Sequence, residues 1–179
     1  MKRFKTTKGM IGIVLLTLIA LIAIFGPMVI PPDAATAMDM RARRAPPSLT
    51  HLFGTDQLGR DLLFRVILGT RTSLEIAVSA VLMSVILGLP LGLISGYFGK
   101  WIDNVLMRFV DTLLAFPALL LALTISAVLG PNIQNTIIAI GVAFTPYLAR
   151  IIRGEIMALK GRDYIAFART AGVSTPVIF

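Results

Sequence analysis

Arg108 and Asp111 are ionisable residues inside an otherwise apolar stretch, three positions apart and so on adjacent turns of one helix face. A charge within a membrane segment marks an ion or proton path by default. Asp111 lies nineteen residues before Gly130, about 28 Å along a helix, which puts this charge pair beside one membrane face. Snorkelling makes an ion pair cheap there, so anchoring is favoured over translocation. Other chemistry has few carriers. The chain has no Cys and one His, which excludes disulfides, thiolate metal sites, a cysteine nucleophile and a His-based metal cluster. His51, in SLTHLFG, reads as a surface loop residue. With no Walker-type phosphate loop and no nucleophile–base set, neither catalysis nor a cofactor is expected.

A second stretch, DYIAFARTAGVSTP from Asp163 to Pro176, is short and half-polar. Asp163 suits an N-cap and Gly172 the residue just past a helix end. Tyr164, Phe167, Ala168 and Ala171 share one face, while Arg162, Ala166, Arg169 and Thr170 fill the rest. So short a helix is not stable alone in water and needs a partner surface. Two readings stand side by side. The aromatic ridge lies in a groove of another protein, or it packs on this chain's own helix ends. Ser174, Thr175 and Pro176 then read as the start of a further helix, so the 179 residues are expected to be a fragment or a truncated frame.

The elements that position these residues are apolar blocks. Hydrophobic residues make up 56% of the chain and charged ones 15%, below the roughly 25% charged of ordinary domains. The expected fold is all-α, a polytopic transmembrane helical bundle with four spans and a short cytoplasmic helix at 163–172. Residues 1–30 form a basic tail and a first span from Met10 to Ile30, too long for a signal-peptide core. Residues 31–73 form an external Pro-rich loop. Within it Leu58, Leu62, Leu63, Val66 and Ile67 line one side of an amphipathic helix, and Asp61 and Arg65 make an i,i+4 pair. That helix either lies on the membrane surface or packs on neighbours. Residues 74–179 hold the rest.

The second span runs from Leu74 to Phe98. Its Gly88, Gly92 and Gly96 recur every four residues, a small-xxx-small face for close helix packing, and Pro90 should kink it. The third runs from Val105 to Leu129 with a bend at Phe116-Pro117. Gly130-Pro131-Asn132 marks a turn, and the fourth span follows from Ile133 to Ile152, interrupted at Thr145-Pro146. The net charge of +8 sits in loops beside these spans, where it sets orientation or meets anionic lipid rather than nucleic acid. A cytoplasmic N-terminus places eleven Lys and Arg inside and six outside, which agrees with the positive-inside rule.

Three blocks carry a family resemblance: FGTDQLGRDLLFRVILGTRTSL, GLISGYFGKWIDNVLMRFVDTLLAFPALLLAL and YLARIIRGEIMALKGRDYIAFARTAGVSTPVIF. Together they make residues 53–179 similar to the inner-membrane permease subunits of binding-protein-dependent ABC importers, in the branch for dipeptides, oligopeptides and nickel. Phe64 stands where that family usually has Ser. The resemblance implies that the 163–172 helix is the coupling helix, docked in a groove of a cytoplasmic ATPase. Ala168 and Gly172 match the second Ala and the Gly of the family's loop. Ala166 replaces its Glu and Phe167 its first Ala, so no ion pair from position 166 is implied. Implied partners are a second, homologous permease subunit, two ATP-binding subunits, an extracytoplasmic substrate-binding protein and membrane lipid. Two further spans of the family fold would be missing. The reading from another class is an ion-coupled secondary transporter or channel, which calls for ionisable groups near mid-membrane.

Overall fold

The computed structural model describes residues 7–171, apart from the side chains of Pro32, Ala166, Ala168 and Arg169. Helix α1 spans Thr7–Val29 and α2 Pro32–Thr36; α3 runs from Leu62 to Phe98, α4 from Lys100 to Leu114 and α5 from Ala118 to Leu129. Helix α6 covers Ile133–Lys160 and α7 Asp163–Thr170. Among the described residues there is no strand, only an isolated bridge between Thr55 and Asp61. Three helices, α1, α3 and α6, are long and apolar enough to cross a membrane, and the α4–α5 pair is a possible fourth.

The chain divides into two compact units, residues 1–75 and 76–179. In the first, α1 presents Gly26 to the opening turns of α3, where a β-carbon on Gly26 would stand 2.5 Å from Ile67 Cγ2. The loop between them is folded tightly by the GTDQLGRD block. Thr55, buried, accepts from Ala45 N at 2.8 Å and donates to Ala42 O. Asp56 takes the amides of Leu58 and Arg60 on one oxygen and the guanidinium groups of Arg60 and Arg65 on the other. Gly59 holds φ +75°, and a β-carbon there would fall 1.7 Å from Asp39 O, so no other residue fits. Asp61 caps α3, accepting from Phe64 N at 3.1 Å.

Two expectations are corrected here. Arg65 pairs with Asp56 rather than Asp61, whose other oxygen meets His51 Nδ1 at 2.9 Å. His51 stays a loop residue, with its half-buried side chain against the cap. The amphipathic stretch is no separate helix either: α3 is unbroken through Arg71, Thr72 and Ser73. Those residues are polar, but none of them forbids helical dihedrals.

In the second unit most of the buried residues of α3 and α6 are small. Ala80, Ser84, Gly88, Gly92 and Gly96 are buried on α3, and Ala139, Gly141, Ala143, Thr145 and Ala149 on α6, while large residues such as Leu82, Ile86, Leu119 and Ile151 face outward. That is the reverse of a water-soluble core and suits helices packed in lipid. Pro90 and Pro146 lie inside α3 and α6 without ending either helix. At Ala115–Pro117 the chain does break: α4 and α5 meet at 84°. Proline 117 cannot donate to the preceding turn, and the residue before it is steered out of helical space. Asn132 caps α6 through Gln134 N at 3.0 Å, and Asn135 Nδ2 donates to Leu129 O at 2.7 Å, closing the α5–α6 turn.

Candidate functional site

Helices α3 and α6 run side by side in the same direction with a constant offset. Ser84 Oγ donates to Gly141 O at 2.9 Å. A β-carbon on Gly88 would stand 3.0 Å from Thr145 O, one on Gly92 2.6 Å from Ala149 O, and one on Gly96 3.0 Å from Arg153 O. Each four-residue step on α3 thus meets a four-residue step on α6, and Phe98 at the end of α3 comes level with Glu155, so α6 runs five residues further. The three glycines are the seam along which α6 is seated, and its last turns are delivered beside the last turns of α3.

At that level the charges gather. Arg153 grips Asp103 of α4 with two parallel bonds, Nε to Oδ1 at 2.5 Å and Nη2 to Oδ2 at 2.6 Å. Ser95 Oγ donates to the same carboxylate. This fork is strong geometry for an arginine, and Asp103 is buried. One turn earlier on α6, Arg150 reaches Asp111, but both side chains are more than half exposed. Asp111 therefore pairs across helices and not with Arg108, which corrects the expected Arg108–Asp111 pair. Among the described residues Arg108 makes no ion pair. It lines an open cavity of about 520 Å³ with Asp103, Asn104, Met107, Asp111, Arg150 and Arg153.

Helix α7 follows α6 after Gly161 and Arg162 and packs against it. Asp163 is its first helical residue rather than a cap outside it, and sits in the first turn, where a negative charge favours the helix dipole. Ile165 is 4% exposed, whereas Tyr164 is 59% and Phe167 77% exposed. Among the described residues the two aromatics thus stand mostly exposed, and Ile165 is the buried side chain of this helix. The backbone of Ala166 and Ala168 is helical, their side chains are not among those described, and Gly172 lies outside the described residues.

Sequence reasoning missed Asp103, Ser95, Lys160 and Ile165 as members of this site. Asp103 sits in the GKWID turn, and an acid one turn into a helix is commonplace. Lys160 and Arg153 registered only as charges that orient a membrane protein. Ile165 is the single β-branched residue between the two aromatics, a weak signal for an inward face.

Residues 88–179 match the family described as "Binding-protein-dependent transport system inner membrane component", and residues 1–47 match "N-terminal TM domain of oligopeptide transport permease C". The chain is 39% identical over 173 residues to a dipeptide transport system permease protein of Alkalihalophilus pseudofirmus, covering 96% of this chain and 57% of the relative. It is 44% identical over 164 residues to a putative peptide transport system permease protein of Brucella suis (92% and 55%). A glutathione transport system permease protein of Pectobacterium atrosepticum is 38% identical over 163 residues (91% and 54%). The chain thus spans little more than half the length of these relatives.

Proposed function

Because this chain belongs to the family of binding-protein-dependent transport system inner membrane components, we propose that it is a permease subunit of an ATP-driven importer. It lines the path of a peptide or similar small solute through the membrane. Its substrate class follows from relatives whose names specify dipeptide, peptide and glutathione transport. It has no reaction of its own. Two cytoplasmic ATP-binding subunits supply the energy, a second permease subunit completes the path, and an extracytoplasmic binding protein delivers the solute. The N-terminus lies on the cytoplasmic side, a reading supported by the excess of Lys and Arg in the segments that this places inside.

The observation that carries this reading is the pair Tyr164 and Phe167, exposed on a short helix whose opposite side is seated by buried Ile165. Two rigid aromatics on a fixed helix suit insertion into a groove of a partner protein. The stretch 163–172, whose described part is this helix, is the coupling segment, with Asp163, Ala166, Ala168 and Gly172 as its remaining members. The test is purification of the tagged full-length protein from its own membranes. An ATPase subunit should accompany it, and Phe167→Asp should release that subunit and stop uptake. Uptake that runs on an ion gradient without ATP would sink the reading.

A further inference from the structure

Helix α3 ends where Gly99 and Lys100 both take positive φ, +62° and +49°, and a helix end exposes carbonyls that carry partial negative charge. Lys160, the last residue of α6, comes across to this end. Its Nζ donates to Tyr97 O at 2.6 Å and Gly96 O at 3.3 Å, and lies 5.7 Å from the centre of the Tyr97 ring. The glycine seam gives its last close approach at Gly96, against Arg153 and Ile156. Beyond Ile156 the final turn of α6 would fray on its own, and Lys160 is its tie to α3. Three residues later, at Asp163, α7 begins.

We infer that Lys160 is the positioning residue that ties the last turn of α6, from which α7 follows, to the end of α3, so that force passed from α7 into α6 reaches α3 instead of fraying that last turn. The inference rests on the proposed docking of an ATPase at α7. The cation suits the task because it can slide between two carbonyls and a ring face without breaking all three contacts together. Arg153, locked to Asp103, carries the same force to α4.

Two variants separate the charge from the stem. Lys160→Met keeps a long apolar side chain against Tyr97 and removes the donors; Lys160→Arg keeps the cation. With the partner ATPases in proteoliposomes, Lys160→Met should retain the ATPase subunits and hydrolyse ATP while solute moved per ATP falls about tenfold, the effect of losing one charge-assisted hydrogen bond. Lys160→Arg should restore it. The chain contains no cysteine, so spin labels placed at Ile94→Cys and Thr170→Cys report one distance. That distribution should be narrow with Lys or Arg at position 160 and broad with Met. An unchanged transport ratio, an unchanged distance distribution, or loss of the ATPase subunits from Lys160→Met would each overturn the inference. If the wild type itself holds no ATPase, it is the importer reading that falls, and the label distances still decide the role of Lys160.

Discussion

A β-carbon added to Gly92 would stand 2.6 Å from the carbonyl oxygen of Ala149 and 2.7 Å from Ile152 Cβ. Both obstacles are fixed atoms, one backbone and one branched, so neither can turn away. Gly92→Ala should therefore force α3 and α6 apart and destabilise the protein by about 1–3 kcal/mol. Gly154, also on α6, has nothing within 4 Å, and Gly154→Ala should stabilise by up to about 1 kcal/mol through helix propensity. Thermal unfolding in detergent should place the two variants on opposite sides of wild type.

The two cross-helix ion pairs differ in burial and should differ in worth. In the Asp103–Arg153 pair the side chains are 11% and 29% exposed, against 57% and 55% for Asp111–Arg150. Asp103→Ala strands a largely buried guanidinium and should cost about 3 kcal/mol; Asp111→Ala should cost about 1 kcal/mol or less. Replacing both members of the inner pair, Asp103→Leu with Arg153→Met, should recover most of the loss, because the stranded charge goes too. A double-mutant cycle in urea measures all four corners, and equal losses for the two aspartates would contradict the burial argument.

The Asp56 anchor makes the GTDQLGRD loop sensitive to strong acid. Desolvation alone would raise its pKa, but the amides of Arg60 and Leu58 and the Arg60 guanidinium outweigh it and lower the value from 3.8 to about 2. A carboxylate whose folded pKa is depressed stabilises fully above its unfolded value and loses that contribution as pH falls through the folded one. Loop stability should thus be flat above pH 3.8 and fall away toward about 2. Asp61, also lowered against desolvation by bonds from His51 and the Phe64 and Leu63 amides, acts in the same direction. Hydrogen exchange at the Leu58 and Arg60 amides would register the loss, and Asp56→Asn should flatten its Asp56-dependent part.

Lys100 sits in the left-handed region at φ +49°, a strain of about 1 kcal/mol for a residue with a β-carbon. Lys100→Gly should be neutral or slightly stabilising in chemical denaturation, whereas a β-branched Lys100→Val should destabilise clearly.

The sequence made the helices legible because apolar runs of spanning length have few other fates, and Phe116-Pro117 marked the place where α4 and α5 meet at 84°. The glycine spacing was visible too, since a four-residue repeat is a local pattern. What lay out of reach was pairing between helices. Arg108 and Asp111 look like partners because they share a face of α4, yet Asp111 is met by Arg150, thirty-nine residues on. That choice depends on the register of α6 against α4, which no local pattern encodes. The unbroken course of α3 escaped for a related reason: polar residues at 70–73 report contact with water, not the end of a helix.

At 37 residues, α3 is about 55 Å long, against roughly 30 Å for the hydrocarbon layer. Even at a 40° tilt, the steep limit for such helices, the crossing occupies only about 26 residues. Some three turns are therefore more than the hydrocarbon layer requires. The helix is thus longer than its crossing, and its surplus turns continue without a break from the Asp61 cap.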